Sequence, residues 1–153
     1  MDISHWAANK RAKFGIDLSP ETRDLFPSLT VRENLILPIK ALKLNTDALE
    51  LIYNIMPIIK GLLDRPANTL SGGQQKLVAL ARALIIGRRV LLLDEVFEGV
   101  AMKLADEITR YLREYVKTQS PAVIIAESTT HYIKNLANRI YHIDRGQILH
   151  PPS

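Results

Sequence analysis

Two short segments carry residue types that phosphoryl chemistry needs: Leu70-Ser71-Gly72-Gly73-Gln74-Gln75 and Val90-Leu91-Leu92-Leu93-Asp94-Glu95. In the first, Ser-Gly-Gly stands directly before Leu77, Leu80, Ala81 and Leu84, which recur at helical spacing. A hydroxyl and free backbone N–H groups therefore sit at the positive end of a helix dipole worth about half a charge, a natural place for a phosphate oxygen. A plain N-cap followed by a glycine turn is the alternative. In the second segment an apolar run ends in two carboxylates, and open parallel sheets place their binding crevice at the carboxyl ends of strands. Asp94 would hold Mg²⁺, directly or through water, while Glu95 would orient or deprotonate an attacking water. A solvated acidic pair at a strand end is the alternative there. No G-x-x-x-x-G-K-[ST] loop, whose backbone and lysine cradle phosphates, occurs in these residues.

The elements that must position these groups follow from periodicity. The first 27 or so residues read as irregular, a strand end and then a loop broken by Ser19-Pro20-Glu21 and Phe26-Pro27-Ser28. Thr30-Val31-Arg32-Glu33 is a capping-box pattern opening an apolar helix that Pro38 is expected to kink or interrupt. A second helix is expected after Asn45 or Thr46, with Leu49, Ile52, Tyr53 and Met56 on one face. The helix after Gly73 should end at Gly87 as a left-handed stop, giving way to the buried strand Val90 to Leu93. Another helix is predicted from about Met102 to Lys117, with Leu104, Ile108, Leu112 and Tyr115 inward, and then an apolar strand over Ala122 to Ala126. Strand, helix, strand implies parallel pairing. A short helix through Ile133, Leu136 and Ala137 precedes a hairpin from Arg139 to His150 turning at Asp144-Arg145-Gly146. The expected organisation is 1–27 as core remnant, 28–69 as a helical unit and 70–153 as the remaining core.

Composition bounds the setting. The 153 residues are 47% apolar and 24% charged, enough apolar material for one globular core. There is no cysteine, which excludes disulfides and thiolate metal sites and fits a reducing compartment. No apolar run reaches the ~18 residues of a membrane span, so membrane association is expected only through a partner. The net charge is +4, with Lys and Arg scattered apart from Lys10-Arg11-Ala12-Lys13 and Arg88-Arg89. Without a basic stripe or interleaved aromatics, no nucleic-acid partner is expected.

Leu70 to Gln75 resembles the signature motif of ABC transporter nucleotide-binding domains, and Val90 to Glu95 resembles their Walker B strand. Gly99-Val100-Ala101 is similar to the loop that follows, although Val96 stands where the family usually has proline. Pro20-Glu21, Leu25-Phe26-Pro27-Ser28-Leu29-Thr30-Val31 and Glu33-Asn34-Leu35 resemble the Q-loop and the start of the helical subdomain. Glu21 at the glutamine position, Phe97 to Ala101, and Glu127-Ser128-Thr129-Thr130-His131 look closest to the branched-chain amino acid importers. The resemblance implies an α/β fold: a partial P-loop NTPase domain with parallel core strands, a helical insert and a C-terminal β-hairpin.

In that family two such domains close head to tail, so the resemblance implies that Ser71, Gly72, Gly73 and Gln74 contact the γ-phosphate of ATP held by a second nucleotide-binding subunit. Asp94 would ligate Mg²⁺, Glu95 would be catalytic in its own chain, and Glu21 would sense the nucleotide and couple it to transmembrane permease subunits. The implied place is cytoplasmic, on the inner face of the membrane through those subunits. The family's switch histidine falls at Ser128, and His131, about one helical turn later, is assigned to a helix surface. The adenine-stacking aromatic and the P-loop of the family have no match here; Trp6 and Phe14 are not at the corresponding place. The chain alone is therefore expected to be inactive, with open apolar strand edges that invite pairing with other chains. Three readings follow: the C-terminal part of an importer's ATP-binding subunit, a non-catalytic partner donating its signature motif to a complete subunit, or a truncated remnant that does not fold stably.

Overall fold

The computed structural model describes residues 2–20, 22 and 25–149. Helix α1 (Ala8–Phe14) leads into strand β1 (Ile16–Ser19), helices α2 (Val31–Leu42) and α3 (Asp47–Ile55), and two 3₁₀ turns, Pro57–Leu62 and Ala67–Thr69. Helix α4 (Gly72–Ile86), strand β2 (Val90–Asp94), helix α5 (Met102–Gln119) and strand β3 (Ala122–Ala126) form the centre. A 3₁₀ turn, Ile133–Asn135, and strands β4 (His142–Asp144) and β5 (Gln147–Leu149) follow.

The three core strands lie in the order β1-β2-β3, both pairs parallel, as the strand, helix, strand succession requires. The register aligns Ser19 with Leu93 and Asp94 with Ala126, so the carboxyl ends of β2 and β3 open side by side. One sheet face carries Leu91 and Leu93, which join Leu80, Leu84, Ile108 and Leu112 in a single hydrophobic cluster. That cluster extends without a break into Val31, Leu35, Ile52, Met56 and Ile59 of the helical segment. Tyr115 ties the two central helices together by donating its hydroxyl to the Leu84 carbonyl at 2.6 Å. On the opposite face the register lines up Leu18, Leu92 and Ile124, with Leu18 and Ile124 at 55% and 62% exposure. Among the described residues no helix is long and apolar enough to cross a membrane.

Several expectations change in detail. The early segment is not wholly irregular, because α1 precedes β1; it has no buried residue and so no apolar stripe to announce it. Helix α2 opens on the expected capping box but is not interrupted at Pro38, which is buried inside it. The missing N–H deprives only the Asn34 carbonyl of a helical partner, a loss that packing of Leu35 and Ile39 against the core outweighs. Gly87 is not left-handed: its φ is −74°, and glycine is required instead by crowding, since a Cβ would meet Leu91 Cδ1 at 2.8 Å. Leu104 is only half-buried on α5, whereas Ala105 and Tyr111 are buried with Ile108, Leu112 and Tyr115. The short helix expected near Ile133 is a single 3₁₀ turn. The hairpin forms, turning through Arg145 and Gly146, both at positive φ as a two-residue hairpin turn demands.

Asp17, on the core side of β1, makes stability depend on pH. Burial lifts its carboxyl from 3.8 to about 7, opposed by the charge of Arg82 and by a backbone hydrogen bond at Leu18. Between those values the unfolded chain has released a proton that the folded chain keeps, so stability falls as pH rises through that window and levels off above about 7. Asp17→Asn is expected to gain on the order of 2 kcal/mol on the parent between pH 5 and pH 8. Urea unfolding of both proteins at the two pH values measures it, and parallel pH dependence would refute the assignment.

Candidate functional site

The N-terminus of α4 is built by a reciprocal cap. Ser71 Oγ accepts from the Gln74 N–H at 3.3 Å, and Gln74 Oε1 accepts from the Ser71 N–H at 3.1 Å. The approach to it is fixed by Gln75, whose amide donates to the carbonyls of Ala67 and Leu70, and by Arg65, which donates to the Thr69 carbonyl. The cap leaves the amides of Gly72 and Gly73, the first two of the helix, without intrahelical acceptors. Ser71 and Gly72 are exposed. Gly73 is held against α5, where a Cβ would lie 2.7 Å from Leu104 Cδ2, so no larger residue fits without displacing that side chain. The N-cap reading of Ser71 is the one the structure displays, and the amides of Gly72 and Gly73 stand beyond the cap at the positive end of the helix.

The second half of the site is the turn after β2. Asp94 is exposed at the strand end, and Glu95 takes a left-handed φ of 48°. Such a backbone persists only when its surroundings fix it. Here the Glu95 N–H donates to the Ala126 carbonyl of β3 at 3.0 Å, and the Glu98 N–H donates to the Glu95 carbonyl at 3.1 Å. Lys76, on the second turn of α4, donates its ammonium to the carbonyls of Glu95 and Glu98, at 2.9 Å for the first. Ser128 Oγ donates to Glu95 Oε2 at 3.4 Å, so the residue at the switch position faces the candidate catalytic carboxylate.

Glu127, which the sequence reading does not single out, lies in the same cluster. Its Oε1 accepts the Phe97 N–H at 3.0 Å. Its carboxyl is lifted from 4.5 to about 7, chiefly by burial; the Phe97 N–H opposes this, and hydrogen bonding with and repulsion from Glu95 add to it. The signal was present in the strand pairing: β2 and β3 are parallel and each is followed by a carboxylate, so Asp94 opposite Ala126 brings Glu95 and Glu127 to one edge.

The structure joins Glu95, Ser128, Glu127 and Lys76 into one network, but no hydrogen bond among the described residues links Ser71 to Asp94 or Glu95. Lys76 lies five positions past Ser71, roughly 7.5 Å along the helix axis. His131 sits in a turn rather than on a helix, with its ring edge-on to Tyr132 at 4.8 Å, and is exposed. Trp6 packs on Phe14 at 5.3 Å with Lys10 over its ring, an arrangement local to α1. Glu21 lies outside the described residues.

The family model described as ABC transporter matches residues 2–98, which include the capped helix and the acidic strand end. The chain belongs to the ABC transporter family. Among curated ABC relatives, it is 32% identical over 130 residues to the sulfate/thiosulfate import ATP-binding protein CysA 2 of Agrobacterium fabrum, covering 82% of this chain and 38% of the relative. It is 30% identical over 140 residues to the high-affinity branched-chain amino acid transport ATP-binding protein BraG of Pseudomonas aeruginosa, covering 88% and 58%. The ADP conformation of MJ1267, an ATP-binding cassette of an ABC transporter, superposes with a TM-score of 0.77 at 27% identity, covering 99% of this chain and 65% of that one. The ABC-family fold expected from the motifs is therefore the fold observed, and the chain spans less than two thirds of the length of these relatives.

Proposed function

We propose that this chain is the C-terminal part of the nucleotide-binding domain of an ABC importer and that it serves the coupling of ATP hydrolysis to transport. The observation that carries the reading is the open N-terminus of α4, where Ser71, Gly72 and Gly73 present amide donors and a hydroxyl to solvent next to Gln74. A helix end of this kind attracts a phosphate group, and its exposure suits a nucleotide presented by a second subunit. On this reading Glu95 serves a nucleotide held by its own protein, and the Glu21 region meets the permease subunits on the cytoplasmic side of the membrane.

The acidic strand end fits a Mg²⁺ ion. Magnesium is usually held by one or two carboxylates with waters and substrate phosphates, not by an all-protein cage. Asp94 supplies one exposed carboxylate, and among the described residues no group of three His, Cys, Asp or Glu side chains gathers as a cage would need. When bound, the ion would neutralise charge on the phosphate oxygens. Glu95 would orient and deprotonate the attacking water, with Ser128 holding one of its oxygens.

For the transported substrate we propose branched-chain or similar amino acids, on the strength of Phe97 to Ala101, Glu127 to His131 and the relative BraG. Relatives named for sulfate/thiosulfate and for branched-chain amino acids match at similar identity, so the choice rests on those local segments.

The test combines this chain with a complete homologous ATP-binding subunit and the permease subunits and measures ATP turnover. Ser71→Glu is expected to lower turnover about tenfold or more, because a carboxylate at the helix tip repels the γ-phosphate. Turnover unaffected by Ser71→Glu would refute the trans role.

A further inference from the structure

We propose that Phe97 and Tyr132 form a clasp that holds Ser128 against Glu95, with Tyr132 a positioning residue that acts through Ser128. The proposal rests on the functional reading of Glu95 given above. Its geometric basis is independent of any nucleotide. Ser128 lies in the span that leaves β3 at Ala126, and both flanks of that span take hold of one residue, Phe97, two positions past Glu95. On the near flank Glu127 Oε1 accepts the Phe97 N–H at 3.0 Å. On the far flank the Tyr132 ring stacks on the Phe97 ring, with centroids 4.9 Å apart and planes 26° from parallel. Residues 128–131 are thus closed into a loop upon Phe97, itself buried in the core cluster.

The far flank is fixed to the core. Ile133, next to Tyr132, is buried, the Lys134 N–H donates to the Thr130 carbonyl at 3.2 Å, and Arg113 of α5 donates to the Asn135 carbonyl at 3.0 Å. The near flank is fixed by β3, whose Ala126 carbonyl accepts the Glu95 N–H at 3.0 Å. Between them Ser128 is exposed and donates to Glu95 Oε2 at 3.4 Å, a contact too long to hold either side chain by itself. Its aim must come from the backbone on each side of it, and a misplacement of about 1 Å is enough to degrade a catalytic contact. Stacking fixes the relative orientation of two rings, which contact between aliphatic side chains does not. The Tyr132 ring therefore sets the direction in which the span returns from Ser128, and it does so on the residue that follows the Glu95 turn.

A clasp and simple core packing separate on substitution. Tyr132→Leu keeps an apolar side chain and removes the stack, whereas Tyr132→Phe keeps the ring. The chain has no cysteine, so a nitroxide carried on Thr129→Cys, exposed and next to Ser128, reports on this loop alone. In the 153-residue chain, Tyr132→Leu is expected to shorten the rotational correlation time of the label about twofold or more, while Tyr132→Phe restores the parental spectrum. Phe97→Leu breaks the same stack from the other side and is expected to give the same mobile spectrum, which reads the clasp even if Tyr132→Leu fails to fold. A parental spectrum in either folded leucine variant overturns the proposal. In the assembled transporter, Tyr132→Leu is expected to lower kcat about threefold or more at unchanged KM, and to lower it no further in a Ser128→Ala background. Equal losses in the two backgrounds overturn the route through Ser128. A Glu95→Gln assembly that keeps parental turnover overturns the functional reading beneath the proposal, whereas the nitroxide spectra judge the clasp itself.

Discussion

Glu95→Gln is expected to reduce ATP turnover by the assembled transporter by about 10²- to 10⁴-fold while leaving Mg-ATP affinity nearly unchanged. The amide cannot take a proton from water at neutral pH, yet it keeps the size of the side chain and an oxygen that can accept from Ser128. The backbone restraints from Ala126, Glu98 and Lys76 do not involve the Glu95 side chain, so the left-handed turn should survive the exchange. The loss should therefore fall on kcat and not on binding, the pattern of an interaction made only in the transition state. Single-turnover hydrolysis together with equilibrium nucleotide binding separates the two. A variant that hydrolyses at close to the parental rate would remove Glu95 from the chemistry.

Asn34→Leu is expected to destabilise the fold by about 2–3 kcal/mol. Asn34 is fully buried, and its side chain accepts one hydrogen bond and shares its two N–H donors among three carbonyls. Oδ1 accepts from the Phe26 N–H at 2.9 Å, while Nδ2 donates to the carbonyls of Phe26, Leu29 and Thr30 at 3.1, 3.3 and 3.0 Å. A leucine of similar size fills the space but leaves the part-buried Phe26 N–H without its acceptor and strips one donor from the carbonyls of Phe26, Leu29 and Thr30, which keep only their backbone donors. Because Leu29 also accepts from the Ala67 N–H, and Pro27 from the Asn68 N–H, the damage should spread toward the approach to Ser71. Thermal melting should show a fall of about 5–10 °C, and a loss below about 1 kcal/mol would contradict the account.

Legibility in the sequence followed the reach of each signal. Helix α4, strand β2, helix α5 and strand β3 were readable because their apolar periodicity is imposed by one shared core. The capping boxes at Thr30 and Ser71 were readable because capping is complete within four residues. Helix α1 was not, since it buries nothing, and the role of Gly87 was not, since its crowding comes from Leu91 after the chain has turned back. At the site, Ser71, Asp94 and Glu95 stand in continuous motifs. Glu127 is assigned by strand register alone, and register is a tertiary fact that a linear scan for adjacent carboxylates passes over.

The ammonium of Lys76 gives helix α4 a mechanical meaning. One rigid rod has its tip at Ser71, facing the neighbour on the proposed reading, and its second turn fastened to the carbonyls of Glu95 and Glu98. On that reading, a tilt of the rod as the tip took up a phosphate would reach the turn that carries Glu95 through Lys76. For a pair of subunits on that reading, this would be a matter of timing, with occupancy of one site setting the readiness of the other.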